Sequence, residues 1–361
     1  MEPKVIAYFL PQFHEIPENN KWHWKWFTEW TNVKKAKPLF KWHIQPKIPL
    51  DYYNLLDIKS RKKLWEMAKE YWIYWFCYYH YRFDWKLLLE KPLELYLKDW
   101  EPDINFCFSR ANHTWKRTWW EWFNKKTQIL LEQTYWGEKD WEQHFNYLLP
   151  FFKNKNYIKI DNKPVFIIFD ISQLKDFDKM AKYRSILAIK EWFDWIYFVE
   201  TFNSAYNKKY STKTESLIQF EPLFSLKWTN LSLKNKFIIW FKLLFNKFFS
   251  KLFNYKLLYK FNYDDIWNKS LKRTYNKWDS KIWYGWFPRW DNSPRKWNNA
   301  YIIIWNSPEK FWKYMKKLKE KCVKEWSEFI FINARNEWAE WNFLEPDLYD
   351  WYKYLEELKK L

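Results

Sequence analysis

The chain has 361 residues, 48% of them hydrophobic and 29% charged, with a formal net charge of +19. This balance excludes a disordered chain, and the length suffices for one large α/β core or two smaller ones. No run approaches the ~18 apolar residues that a bilayer span needs, and no nucleic-acid-reading motif accompanies the scattered lysines, so neither a spanning protein nor a nucleic-acid partner is expected.

Eight apolar, β-branched or aromatic runs read as strands: Val5–Phe13, Ile73–Phe83, Ile104–Asn112, Pro164–Ile171, Ile196–Asn203, Ser216–Phe224, Lys281–Pro288 and Phe329–Asn336. Helical periodicity falls between most of them, over Asp57–Tyr71, Trp85–Leu97, Asp140–Asn154, Asp176–Trp192, Ser307–Lys324 and finally Leu348–Leu361. Strand and helix alternating eight times predict a (β/α)8 TIM barrel spanning residues 1–361 as a single domain. A doubly wound open sheet is the alternative, but no glycine-rich phosphate loop follows the first strand. Barrel enzymes keep their chemistry at the C-terminal ends of the strands. Polar residues gather there: Gln12 and His14, His80, Asn112, Asp170, Glu200 and Asn203, Glu221, Asp291 and Asn292, then Asn336 and Glu337.

Residues 231–263, after the sixth strand, form a basic aromatic insertion with seven lysines and no acidic residue. This insertion reads either as an amphipathic helix lying on a membrane surface or as a long loop with solvated lysines. The N-terminus enters the first strand without a signal-peptide pattern, and Cys77, Cys107 and Cys322 lack any disulfide or metal spacing. A cytoplasmic protein is the expectation, peripheral to the inner membrane face only on the interfacial reading of the insertion.

Only two residues are glycine, where ordinary usage of ~7% would give roughly 25, while 32 are tryptophan. Asp84-Trp85, Asp99-Trp100 and Asp194-Trp195 stand where Asp-Gly turns are usual. Many tryptophans therefore read as UGA codons that specify glycine in the source organism.

Asn336-Glu337-Trp338-Ala339-Glu340 follows the last strand. Breaking or making a glycosidic bond needs two carboxyl groups at the anomeric carbon, and an aromatic between them suits the apolar face of a sugar. Two carboxylates three residues apart share a side only if the chain turns after the strand.

Ala7–His14, Phe27–Val33, Cys77–Tyr81, Leu131–Tyr135, Phe287-Pro288, Trp290–Asn292 and Phe331–Pro346 together resemble the WbsX-type, glycoside hydrolase family 99-like proteins over nearly the whole chain. The resemblance implies a barrel acting on cell-surface glycans of the lipopolysaccharide or O-antigen type, with no cofactor and no metal. It maps Glu337 to the base that deprotonates the sugar 2-hydroxyl and Glu340 to the general acid/base. Tyr8, His80, Asn112, Trp115, Asn336 and Trp338 are the candidate sugar-binding residues; a core role for His80 is the alternative, and Glu29 and His14 serve equally as braces of the first loop. The family pattern has glycine at Trp24, Trp26, Trp42, Trp72, Trp75, Trp85 and Trp341, but tryptophan at Trp30, Trp115, Trp290 and Trp338. Arg335 and His113-Thr114 also depart from it. Three functions stay open: a retaining hydrolase or transglycosylase, a glycosyltransferase using an activated sugar, and a non-catalytic glycan-binding barrel. The partner implied is a glycan or a lipid-linked oligosaccharide.

Overall fold

Eight parallel strands pair in chain order and close on themselves: β1 (Lys4–Phe9), β2 (Trp75–Phe83), β3 (Asn105–Arg110), β4 (Lys163–Ile168), β5 (Tyr197–Phe202), β6 (Ser216–Gln219), β7 (Lys281–Trp286) and β8 (Phe329–Ile332). Closure comes from β1, which pairs with β2 through Ile6↔Trp75 and with β8 through Lys4↔Phe329. The computed structural model describes residues 2–99, 104–116, 128–202, 211–227, 231–249, 257–273 and 281–361; Trp100 and Asn203 lie outside them. All eight predicted strands are present, most of them shorter at their ends than the apolar runs that announced them.

The interior is filled by rings that meet across neighbouring strands. Tyr8 stacks on Tyr79 at 5.4 Å and meets Phe220 and Phe331, and Trp283 stacks on Phe331 at 5.7 Å. Such tight filling leaves backbone little room. A Cβ on Gly285 of β7 would sit 1.8 Å from the Gln219 carbonyl oxygen of β6, so this position takes only glycine.

Helices cover the barrel where the periodicity placed them, with starts set by side-chain caps. Asp57 accepts from the Ser60 N–H at 2.9 Å ahead of Ile58–Glu70, and Ser307 caps Pro308–Lys324. Two helices differ from expectation. Trp85–Leu97 is not one helix: Asp84-Trp85 makes a two-residue turn, Lys86–Leu88 pairs back on the end of β2, and the helix runs only over Lys91–Asp99. An Asp-x turn after a strand favours a hairpin over helix continuation. The final helix is likewise shorter, Lys353–Lys359.

Twelve described non-glycine residues have positive φ, and eight are tryptophan: Trp26, Trp72, Trp192, Trp297, Trp305, Trp326, Trp341 and Trp351. Three of these terminate helices identically. After Ile58–Glu70, Phe177–Lys190 and Pro308–Lys324, one capping residue is followed by Trp72, Trp192 or Trp326 in left-handed backbone. The next N–H then reaches back to the helix: Ile73 to Ala68 O at 2.9 Å, Phe193 to Ala188 O at 3.1 Å, Ser327 to Cys322 O at 2.9 Å. That is a Schellman ending, whose left-handed position is usually glycine. Of the sequence-predicted glycine positions, Trp26, Trp72 and Trp341 have positive φ, whereas at Asp84-Trp85 it is the aspartate that does.

A side chain in left-handed backbone costs roughly 1–2 kcal/mol. Trp192 is 90% exposed and Trp326 79%, so little packing offsets that strain. Trp192→Gly and Trp326→Gly are each expected to stabilise the fold by about 1 kcal/mol, read as a higher urea midpoint at unchanged slope; a lower midpoint would show that the indoles contribute more than the backbone loses.

Candidate active site

The chain leaves β8 and turns at once. Asn336–Glu337 pairs antiparallel with Asn342–Phe343 around the 3-10 turn Trp338–Glu340, and Trp341 closes the hairpin with φ 52°. In a 3-10 turn, side chains three apart eclipse one another. This geometry supplies the turn that the pair required, and Glu337 and Glu340 reach a common partner, the guanidinium of Arg295. Arg295 Nη1 donates to Glu340 Oε1 at 2.7 Å and Nη2 to Glu337 Oε2 at 3.1 Å; Nη2 also pairs with Glu29 Oε1.

The four members of this cluster come from three strand ends. Glu29 opens the helix Glu29–Lys35 in the first loop and is 1% exposed. Arg295 rides on the short turn Ser293–Lys296 beyond β7, which Asp291 braces by accepting from the Ser293 N–H at 2.9 Å. Asp291 is held in turn by His43 Nε2 at 2.6 Å and Gln45 Nε2 at 2.7 Å.

Burial and the neighbouring Glu340 and Glu29 push the Glu337 carboxyl up to about 8, against the opposing pull of Arg295. Burial alone would weaken the hold of Arg295 on its proton, but Glu29, Glu340 and Glu337 raise it well above the usual guanidinium range. Three carboxylates around one cation therefore retain a proton near neutrality. Glu337, Glu29 and Arg295 line a cleft of about 440 Å³ whose walls include Gln12, Trp22, His23, Tyr81, His113 and Trp115. Trp115 meets Tyr81 at 5.3 Å and Trp22 at 5.8 Å, edge to face, giving the cleft an aromatic wall. Glu340 stands across the Arg295 fork, its side chain 23% exposed.

Of the residues expected to bind sugar, only Trp115 lines this cleft. Tyr8 is buried in the ring stack of the barrel interior. His80 turns outward onto the helix Glu138–Lys153, 2.8 Å from His144 Nε2, and burial beside Arg110, Arg82 and Arg184 pushes it down to about 3, so it is a neutral core histidine. Asn112 ties two loops together, accepting from the Asp170 N–H at 2.9 Å and donating to the Asp170 carbonyl at 2.7 Å. Asn336 does the same for β1, accepting from the Leu10 N–H at 2.7 Å and donating to its carbonyl at 3.0 Å. Trp338 stacks on Phe343 at 3.6 Å and donates to Glu345 at 2.7 Å beneath the hairpin. Other polar strand ends are similarly engaged; Glu221 accepts from Ser225, Ser270 and Arg273.

Sequence reasoning missed Arg295 and Tyr81 and read Glu29 only as a brace. Arg295 lies 266 residues from Glu29 and 42 from Glu337, so no local spacing pairs them. The available signal was a lone arginine four residues after the Trp290-Asp291 motif.

The closed (β/α)8 barrel, together with the family match, places the chain among carbohydrate-active enzymes. The chain is a member of the glycosyltransferase WbsX family, whose model matches residues 5–358. It is 26% identical over 359 residues to the uncharacterized protein WxcX of Xanthomonas campestris pv. campestris (strain B100), covering 98% of this chain and 48% of that protein. The chain thus spans about half the length of the curated relative it matches. Among solved structures it is similar in fold to a glycoside hydrolase-like protein (TM-score 0.56, 11% identity, 99% of this chain and 93% of that one). A second is the GH99 endo-alpha-mannosidase of Bacteroides thetaiotaomicron (TM-score 0.55, 12% identity, 99% and 95%).

Removing one partner from a buried charge cluster leaves the others uncompensated, at a cost of about 3–5 kcal/mol. Arg295→Met is expected to destabilise the fold by that order, and Arg295→Met with Glu29→Gln to recover part of it. Chemical denaturation of the two variants checks this; equal losses would mean that Glu29 is not left uncompensated when Arg295 is removed.

Proposed function

We propose that the protein acts on glycosidic bonds of cell-surface glycans of the lipopolysaccharide or O-antigen type, by retaining, hydrolase-like chemistry at Glu337 and Glu340. The observation that supports this most is one guanidinium holding both carboxyl groups at the barrel mouth. Such a reaction needs one acid and one base, and the pair stands together to supply them. In this reading Glu337 takes the proton of the sugar 2-hydroxyl as that oxygen attacks the anomeric carbon. Glu340 gives its proton to the departing oxygen and then removes one from the incoming hydroxyl, of water or of an acceptor sugar, which displaces the 2-oxygen from the anomeric carbon as Glu337 returns its proton to that oxygen. The aromatic wall of Trp22, Tyr81 and Trp115 holds the ring. A lipid-linked oligosaccharide presented at a membrane surface is the substrate class we favour.

A second reading, transfer from an activated sugar, follows the family's description as a glycosyltransferase. Incubation with mannose-containing oligosaccharides, and separately with nucleotide-sugars plus acceptor, separates them. Turnover of the oligosaccharide alone, lowered about 10²–10⁴-fold by Glu337→Gln or Glu340→Gln, supports the first; turnover only with the nucleotide-sugar supports the second. Glycan binding without turnover, unchanged in both variants, would leave a non-catalytic barrel.

The pH profile tests the base. Glu337 takes a proton only when ionised, so activity is expected to rise as pH rises through about 8. Glu29→Gln removes a negative charge that raises the Glu337 carboxyl, so the acid limb of kcat/KM moves to lower pH. A limb that stays in place would detach Glu29 from the acid–base machinery.

We also infer that tryptophans in left-handed backbone stand where the source organism specifies glycine through UGA. Support comes from three Schellman endings with tryptophan at the glycine position and from 2 glycines against 32 tryptophans. At the site, glycine in place of Trp341 would keep the hairpin turn and open space beside Glu340. The coding DNA decides: UGA is expected for Trp72, Trp192, Trp326 and Trp341, and UGG for Trp30, Trp115, Trp290 and Trp338. UGG at the first four would sink the inference.

A further inference from the structure

The helix Leu233–Phe248, in the insertion after β6, is amphipathic in the reverse sense to an ordinary surface helix. Its inward side is polar apart from Ile239, which is buried in the core. Asn246 Nδ2 donates to the Leu257 carbonyl at 3.1 Å, its Oδ1 accepts from the Leu257 N–H at 2.8 Å, Lys242 donates to the Leu258 carbonyl, and Asn235 is buried. The outward side carries Leu233, Phe237, Trp240, Phe241, Leu244 and Phe248 at the i, i+4, i+7, i+8, i+11 and i+15 spacing of a single stripe. Leu233 is 84% exposed, Phe237 64% and Phe248 63%. Scattered apolar side chains are common on protein surfaces, but a continuous aromatic stripe marks a place where something binds.

Charge indicates what binds. Lys234, Lys236 and Lys247 flank the stripe, and residues 231–263 carry seven lysines without one acidic residue. A second copy of the chain would bring the same positive charge to the contact. Nucleic acid would match the lysines and leave the phenylalanines in water. Anionic phospholipid matches both, with lysines at the headgroups and rings at the acyl boundary. No helix among the described residues is long and apolar enough to cross a bilayer, so the fit is to a surface.

We propose that the outward stripe of Leu233–Phe248 docks the protein on an anionic phospholipid bilayer. The placement of the helix gives the docking a direction. Lying beyond the C-terminal end of β6, it belongs to the face of the barrel that carries the cleft. Its partner segment continues into the strand Tyr259–Asn262, which pairs with Tyr301–Ile304 and through it with Trp290–Asp291, the residues just before Arg295. Docking therefore presents the acid–base cluster toward the lipid surface. That orientation rests on the catalytic reading above; the docking itself does not.

The test is co-sedimentation of the full chain with phosphatidylcholine vesicles, with and without about one-third phosphatidylglycerol. The chain is expected to pellet with the anionic vesicles and to remain in solution with the neutral ones. The combined variant Phe237→Ser, Phe241→Ser, Phe248→Ser is expected to bind roughly tenfold less, with an unchanged circular dichroism spectrum because all three rings are exposed. Should that variant misfold, Lys234→Glu with Lys247→Glu gives a second measure, with binding again expected to fall. Glu337→Gln should bind as the parent does, so failure of the catalytic reading and failure of the docking are separable. A parent that stays in solution with anionic vesicles, serine variants that pellet equally, or a vesicle-free dimer that the serine variants dissociate would each overturn the proposal.

Discussion

A guanidinium among three carboxylates is the contact around which the mouth of this barrel is organised. Charges so deeply buried are tolerated only when paired. Arg295 is the partner through which Glu29, Glu337 and Glu340 come together at one point. The loop after β1, the turn after β7 and the hairpin after β8 must therefore arrive together. Much of the surrounding polar structure can be understood as support for that arrival. Asp291 and its two partners hold the turn of Arg295, and Asn336 fastens the hairpin of the glutamates to the end of β1. Glu345, bonded by Trp338 and Tyr53, holds the far side of the same hairpin.

This explains which parts of the site were legible in the sequence. Strands buried on both faces read as continuous apolar runs, and eight of them could be counted directly. The glutamate pair was legible because its spacing called for a turn, and the chain does turn after β8. Most of the residues expected to bind sugar lie away from the cleft for a physical reason. A polar residue at the end of a barrel strand is as useful for fastening a loop as for touching a ligand, and composition does not distinguish the two. Asn112, Asn336 and His80 use their polar atoms on the protein itself. Arg295 and Glu29 are the converse, since their meaning lies wholly in a contact between distant segments.

Glycine punctuates most sequences, and here that punctuation is nearly absent. The helix boundary misplaced at Trp85 illustrates the consequence: Asp84-Trp85 is a hairpin turn whose second residue does not look like one. Elsewhere the backbone keeps the conformation that glycine permits, whatever side chain is attached. A hydrogen-bond pattern such as that at Ala68–Ile73 identifies a Schellman ending from main-chain atoms alone. Backbone geometry is thus a record of local sequence requirements independent of the letters, and in this chain the two disagree mainly at tryptophan.

The insertion shows the opposite relation between sequence and environment. Its lysines and aromatics fit a solvated loop and an interfacial helix equally well, because composition carries no direction. Direction enters only with packing: Asn235, Ile239, Lys242 and Asn246 face the protein, and the stripe from Leu233 to Phe248 faces outward. Burial of an apolar face ordinarily holds surface helices in place. Here only Ile239 is buried among the apolar residues of the helix, and an apolar medium on the outward side would supply more. The same reasoning ties the two unusual features of the molecule together, since the strands beside that helix lead directly to the arginine that holds the glutamates.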